Sequence, residues 1–252
     1  MDGKQAQKRG GVTRRGLLWA GGLAAIPLTP IGAHTYQAGG MPWEGGRSDH
    51  PHAVDPRPGY LFFTAEEGAF VEALTQRFVP QDEFGPGAVE IGVPLYIDRQ
   101  LAGPYGQGGE FYMQGPWDKG EKTQGYQSKY PPSGYYRAAL KALAGIVAQR
   151  HQGAAFPTLK PEQQDDIIKD LEAGKLDLGD VDAKDFFAML LQHVREGMFA
   201  DPIYGGNRDM AGWKLIGFPG ARYDYRDWVK RHNEKYDRPP VGLSGADDWK
   251  KA

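Results

Sequence analysis

The chain has 252 residues, a formal net charge of −2 and no cysteine. Without cysteine it cannot form disulfides, thiolate zinc sites, iron–sulfur clusters, a cysteine nucleophile or the thioether attachment of c-type haem. Residues 1–33 contain five basic side chains and one acidic one, so removing their net +4 from −2 leaves −6 for the remainder. This acidity argues against a nucleic-acid-binding protein, which needs a basic face.

The N-terminal segment has the layout of an export signal. Arg14 and Arg15 stand between a basic segment and an apolar, Gly- and Ala-rich stretch over 17–26, which Pro27 ends. A basic region, a short apolar region and small residues behind it are typical of such signals. The arginine pair, preceded by Thr13 and followed by two leucines, resembles the signal that the twin-arginine (Tat) pathway reads, which implies export of a folded chain.

We therefore predict a Tat signal peptide over residues 1–33, with candidate cleavage positions after Ala33 and Ala38. A Sec signal with an incidental arginine pair, or an ordinary basic N terminus, is the alternative interpretation. An uncleaved membrane anchor is disfavoured, because prolines interrupt the apolar stretch and a span needs about 20 apolar residues.

Residues 34–59 are rich in Gly, Pro and His and are predicted to be a linker or an arm. His50 and His52 flank Pro51 and could contribute to a metal site. No carboxylate or third histidine follows at ligand spacing, so the arm is the preferred interpretation.

The first predicted helix begins with a capping box. Thr64 and Glu67 have the spacing at which each side chain accepts a hydrogen bond from the other's backbone N–H. Helical periodicity follows, and Pro80 ends it; the apolar residues are Phe70, Val71, Leu74, Phe78 and Val79. A second helical segment is predicted over about 88–101, in which Pro94 must cause a kink or start a new helix.

Residues 102–132 form a long segment rich in Gly and aromatic residues, for which we predict a loop that contacts a partner. Its aromatic residues are Tyr105, Phe111, Tyr112, Trp117, Tyr126 and Tyr130. The Gly106–Gly109 run does not follow a strand or begin a helix, so a phosphate-binding loop is a poor interpretation.

Three more helices follow, at about 133–149, from Pro161 to a stop at Gly174, and after a cap at Asp182. The last has the strongest amphipathic pattern, formed by Phe186, Phe187, Leu190, Leu191, Val194 and Met198. His193 is predicted to lie off this apolar stripe, solvated or hydrogen-bonded rather than catalytic. No segment alternates with a period of two, so we predict a mostly α, irregular multi-helix domain with long Gly-, Pro- and aromatic-rich loops.

Residues 198–221 combine turn signals with apolar residues. A helix end is expected to run into Asp201-Pro202, a Gly205-Gly206-Asn207 turn, a short helix near Trp213 and a second turn over 217–220. We expect Pro219 to stiffen the exit from this second turn. The apolar side chains of this block are predicted to be buried against the body, namely Trp213, Ile216 and Phe218.

This block resembles the signature of the gluconate 2-dehydrogenase subunit 3 family. The residues that carry the resemblance, and that form a candidate interface, are Asp201, Pro202, Tyr204, Gly205, Gly206, Asn207, Trp213, Ile216, Gly217, Phe218, Pro219 and Gly220. The segment from Phe63 to Leu101 is similar to the N-terminal half of the family. The resemblance covers residues 60–221 and leaves 222–252 as a C-terminal extension.

The resemblance implies a small, non-catalytic subunit of a membrane-associated dehydrogenase that oxidises gluconate, glucose or fructose. Its partners would be a large FAD-containing subunit of the GMC type, a multihaem cytochrome c subunit and the Tat translocase. FAD and haem c would belong to those partners, and this chain itself would bind no cofactor and no metal. The complex would be periplasmic and held at the membrane.

Two other functions stay open: an independent Tat-exported periplasmic oxidoreductase, and a sugar-binding module that uses the aromatic loop. Four carboxylates could be proposed as acid–base pairs, namely Glu66, Glu67, Asp201 and Asp209. Capping explains Glu67, and turn chemistry explains Asp201 and Asp209. We therefore assign no catalytic residue.

Overall fold

A computed structural model describes residues 59–117, 120–121, 123–222, 224–236 and 238–243. The predicted signal with Arg14 and Arg15, and the predicted arm up to residue 58, lie outside these residues. About half of the confident part is helical, with six α-helices and no strand, which confirms the mostly α prediction. The helices are α1 (Ala65–Phe78), α2 (Val93–Ala102), α3 (Pro132–Arg150), α4 (Pro161–Glu172), α5 (Ala183–Phe199) and α6 (Ala211–Ile216).

Helix α5 is the centre of the fold, since it contacts each of the other five helices. Its residues Phe186, Leu190 and Val194 recur every four positions and are buried in the main core. Each such side chain stabilises the fold by about 1.5–3 kcal/mol relative to an exposed one. The core is completed by residues of the other helices, among them Val71, Leu74, Ile97, Leu101, Leu143 and Leu171.

The capping box at the start of α1 is confirmed. The Thr64 hydroxyl accepts the Glu67 N–H at 3.2 Å, and the Glu67 carboxylate accepts the Thr64 N–H at 2.9 Å. Glu67 also forms an ion pair of 2.7 Å with Arg137 of α3, whose guanidinium lies 4.3 Å from the centre of the Phe62 ring. The cap therefore also ties α1 to α3.

Helix α2 begins later than predicted. Residues 88–92 form turns, with Gly92 at φ +84°, and the helix starts at Val93 with Pro94 in its first turn. Proline has no N–H to donate and fits the first turn, where that N–H has no helical partner. Of the two predicted effects of Pro94, the structure shows the start of a new helix.

The predicted starts of α4 and α5 are confirmed. Pro161 opens α4, Gly174 follows it at φ +70°, and the Asp182 carboxylate accepts the Asp185 N–H at 3.0 Å. Between α2 and α3, the described residues form turns and extended backbone without a helix. The rings of Tyr105 and Tyr126 pack against Phe111 at 5.8 and 4.7 Å between centres, so part of this loop folds inward.

His193 is buried, which corrects its predicted place outside the apolar stripe. Only 1% of it is exposed, and each ring nitrogen has a tyrosine partner. Tyr105 lies 2.8 Å from Nε2, and Tyr136 lies 2.7 Å from Nδ1. The predicted hydrogen-bonded state is confirmed. The position follows from helical spacing, because His193 is three residues from Leu190 and seven from Phe186.

Candidate functional site

The family-like block begins where α5 ends, and Asp201 organises the transition. Its carboxylate accepts the N–H of Ile203 at 3.0 Å, which starts a 3₁₀ turn over Pro202–Tyr204. The other carboxylate oxygen accepts the N–H of Leu243 at 2.6 Å. Asp201 is buried, and both oxygens are used by backbone donors. This geometry confirms its interpretation as a turn residue.

Asn207 connects three parts of the block. It is fully buried at φ +47°, in the left-handed region that asparagine tolerates. Its backbone N–H donates to Gly197 at 2.8 Å and its side-chain amide to Ala200 at 2.9 Å, while its side-chain oxygen accepts the N–H of Gly212 at 2.9 Å. These bonds hold the end of α5 against the start of α6.

Gly206 allows the turn to lie directly on α5. A methyl group at this position would overlap the carbonyl of Gly197, so no larger residue fits without a backbone shift. The preceding residue, Gly205, has φ +95°. The predicted Gly205-Gly206-Asn207 turn is therefore confirmed, together with the physical reason for its composition.

Trp213 anchors α6 to the end of α5. Its indole N–H donates to the carbonyl of Phe199 at 2.7 Å, and its ring is buried. The last carbonyls of a helix have no partner within the helix, so this bond satisfies one of them. Phe218 lies edge-on to the Trp213 ring at 5.2 Å, after Gly217 reverses the chain at φ +69°.

The predicted burial of Ile216 and Phe218 is wrong. Ile216 is 59% exposed and Phe218 is 45% exposed. Helix α6 has only six residues, and Trp213 fills the space between it and α5. Phe218 therefore packs against Trp213 and still leaves much of its side chain in solvent.

Large apolar side chains remain exposed throughout this block. More than a third of each is accessible, and the set is Phe199, Ile203, Tyr204, Leu215, Ile216 and Phe218. We call these six residues the exposed apolar set. Isolated apolar residues on a surface are ordinary, but six within twenty residues of sequence make this block a candidate contact surface.

Some aromatic side chains of the loop over residues 102–132 pack within the protein, and others are exposed to solvent. Tyr105 contacts His193 of α5, and the Tyr126 hydroxyl donates to the carbonyl of Tyr130 at 2.6 Å. Tyr112 and Trp117 stay exposed. Only part of the loop therefore has side chains available for a partner, and its predicted docking role stays a prediction.

The His193 cluster is unsuited to proton transfer at neutral pH. A neutral imidazole has one donor and one acceptor nitrogen, so one of Tyr105 and Tyr136 donates to the ring while the other accepts. Burial lowers the pKa of His193 to about 4, against the opposing effect of Glu196. Burial also raises the pKa of Tyr136 well above its usual value. The cluster is therefore a hydrogen-bonded part of the core.

The C-terminal segment contacts the family-like block, which the sequence did not indicate. Gly220 and Val241 form a parallel bridge. The N–H of Ala221 donates to the carbonyl of Val241 at 2.7 Å, and the N–H of Val241 donates to the carbonyl of Pro219 at 3.2 Å. In the sequence, this segment has an apolar residue, Val241, between Pro240 and Gly242. A single valine, however, does not predict which part of the chain it contacts.

Two further features concern the ranges of the chain that the structure describes. None of their helices is both long and apolar enough to cross a membrane. Within the same ranges, no three His, Asp or Glu side chains are grouped as metal ligands. His50 and His52, the candidate metal ligands of the arm, lie outside the residues that the structure describes.

Comparison with known proteins gives one finding. The model of the family described as gluconate 2-dehydrogenase subunit 3 matches residues 65–220. This range runs from the first residue of α1 to the glycine that pairs with Val241, so it includes all six helices. No curated protein and no solved structure matches the chain.

Proposed function

Because this chain belongs to the gluconate 2-dehydrogenase subunit 3 family, we propose that it is the non-catalytic small subunit of a periplasmic, flavin-dependent dehydrogenase of sugars or sugar acids. Membership gives it a subunit 3 role in such a complex, which implies partner subunits. In our proposal it binds the FAD-containing catalytic subunit, supports its maturation and supplies its Tat signal. A cytochrome c subunit completes the complex.

The observation that carries the proposal is the exposed apolar set within the family signature. Buried hydrogen bonds of Asn207 and Trp213 fix the backbone of this block, while Tyr204 and Phe218 face solvent beside them. A surface that is already ordered loses little conformational entropy when it binds. Within the signature, the buried residues thus fix the backbone, and the exposed residues are available for contact with a partner.

The surroundings of the carboxylates also favour a binding role for this chain. Asp201 accepts two backbone N–H groups, and Glu67 is occupied by its capping box and by Arg137. Asp98 accepts the N–H groups of residues 61–63 and pairs with Arg99. Both oxygens of each of these carboxylates are already occupied by donors of this chain, which leaves them poorly placed to exchange a proton with a substrate. This supports placing the oxidation chemistry on a partner.

Co-purification of the catalytic subunit tests the docking part of the proposal. We expect Tyr204→Ala and Phe218→Ala each to reduce recovery of that subunit at least tenfold, since a central aromatic anchor contributes about 2 kcal/mol or more. Phe84→Ala is the matched control, because Phe84 is an equally large, exposed aromatic residue outside the set. If both signature variants recover the partner as well as the Phe84 variant does, the exposed apolar set is not the docking surface.

A further inference from the structure

We propose that the family signature contains a binding slot for an extended peptide, and that residues 240–243 of this chain are its resident ligand. The slot is formed by Asp201, Trp213 and the Pro219–Ala221 segment. We call residues 240–243 the plug. The inference does not depend on the proposed function, because both the slot and its ligand lie in this chain.

Backbone contacts between slot and plug follow the pattern of strand addition. The carbonyl of Val241 accepts the N–H of Ala221, and the N–H of Val241 donates to the carbonyl of Pro219, so the two bonds lie on either side of Gly220. Two residues further on, the carboxylate of Asp201 accepts the N–H of Leu243 at 2.6 Å. Backbone bonds of this kind give affinity for any extended segment, and a charged acceptor strengthens the last of them.

Side-chain space gives the slot a sequence preference. Pro240, Val241 and Gly242 are buried, whereas Leu243 is exposed. A methyl group at Gly242 would lie 3.5 Å from the carboxylate oxygens of Asp201, which is ordinary contact for alanine but leaves little room for more. We therefore expect an apolar residue at the Val241 position, a small residue after it, and any residue at the Leu243 position.

Val241 is buried but lies outside the main core. The main core consists of other residues, whereas Val241, Met210 and Trp213 are buried beside the signature. At Gly220 there is no space for a side chain, because a methyl group there would overlap the carbonyl of Val241 and come within 2.9 Å of the Trp213 ring. Gly220 thus lies against both the plug and the Trp213 ring.

The described connection between slot and plug is exposed in part, while Trp228 and Tyr236 within it are half-buried, with 4.7 Å between their ring centres. Residues 230–235 are exposed, and Asn233 sits in a turn at φ +61°. At the base of the connection, Arg222 donates to the carbonyl of Pro239. The plug is therefore a short buried segment that follows a partly exposed tether, which is the arrangement of a tethered ligand.

Cutting the tether in the folded protein tests the proposal. A protease site is inserted after Asn233 in the full chain, the folded protein is cut, and a labelled peptide of residues 236–247 is offered. We expect the cut fragment to co-elute with the body in gel filtration and to exchange with the labelled peptide, as followed by fluorescence anisotropy. A Val241→Asp peptide should fail to bind, and a Leu243→Ala peptide should bind like the parent.

Variants of the slot distinguish the loss of contacts with the peptide from the effect of backbone strain. Asp201→Asn should weaken the peptide at least tenfold, since it removes a charged acceptor. Gly220→Ala should abolish binding, and Gly217→Ala is its matched control, because Gly217 has a similar positive φ with open space around it.

Three outcomes would overturn the proposal. If the Gly220 and Gly217 variants bind the peptide equally well, close contact at Gly220 does not determine binding. A fragment that never exchanges, or a loss of helical circular dichroism on cutting, would make residues 240–243 an integral part of the core. Release of the fragment with no peptide binding to an intact body would show that there is no slot.

Discussion

The Asp98 carboxylate, fully buried at the middle of α2, accepts the backbone N–H of Phe63 at 2.9 Å, from a residue 35 positions earlier. The same carboxylate accepts the N–H groups of Leu61 and Phe62 at 2.7 and 2.8 Å and pairs with Arg99 at 2.9 Å. One side chain therefore fixes the segment through which the N-terminal part of the chain joins the helical body.

Replacing Asp98 by Asn should destabilise the body strongly. The amide keeps the size of the side chain but loses its charge and turns an NH₂ group toward backbone donors, so at least one buried N–H is left without an acceptor. We expect the free energy of unfolding to fall by about 2–4 kcal/mol, as measured by urea denaturation. Asp82→Asn is the control, because Asp82 is exposed and accepts only neighbouring N–H groups; equal losses in the two variants would contradict this role.

The starts of α1, α4 and α5 were predictable because their signals are local. Thr64 and Glu67, Pro161 and Asp182 act within one turn of helix, so three or four residues of sequence are sufficient to recognise them. Asp98 gave no such signal, since its backbone donors are 35 or more residues away. The exposure of Phe218 and the contact of Val241 with the signature depend in the same way on distant packing.

Asn207 should be the most sensitive residue of the signature, because it is fully buried and bonds through both side-chain atoms. Asn207→Ala would leave the carbonyl of Ala200 and the N–H of Gly212 without partners and would place alanine at positive φ. We expect a loss of about 2–4 kcal/mol in the free energy of unfolding. Asp209→Ala tests the effect of positive φ alone, since Asp209 is exposed at φ +55°. It should lower the free energy of unfolding by about 1 kcal/mol. If Asn207→Ala lowers it by no more than Asp209→Ala does, the hydrogen bonds of Asn207 are not the reason for its sensitivity.

Stability should fall in acid because of His193. The pKa of His193 in the folded protein is about 4, below the usual 6.5, so between these values the unfolded chain binds the proton more readily. The contribution of neutral His193 to the free energy of unfolding is therefore complete above about pH 6.5. It is lost as the pH falls toward 4, by about 3 kcal/mol in total. His193→Gln does not titrate, so its free energy of unfolding should depend less on pH over this range. Parallel pH curves for the two proteins would contradict the prediction.

The aromatic loop provides a second test of docking. Trp117 is exposed, and Trp117→Ala should weaken co-purification of the catalytic subunit if the loop contributes to the interface. Tyr130 is the comparison, because its hydroxyl donates to Asp180 at 2.8 Å within this chain. Tyr130→Phe should leave co-purification unchanged. Full recovery of the partner by the Trp117 variant would confine docking to the exposed apolar set.

The arginine pair tests the export part of the proposal separately from docking. Replacing Arg14 and Arg15 together by lysine keeps the charge but removes the planar guanidinium groups on which recognition of the pair depends. If the catalytic subunit is exported only when bound to this chain, both proteins should stay in the cytoplasm, as measured by cell fractionation and immunoblotting. Replacing Arg9 by lysine is the control, because it removes one guanidinium outside the pair at constant charge, and it should leave export intact. If the catalytic subunit still reaches the periplasm while the variant does not, it has its own route, and the docking proposal stands without the escort role.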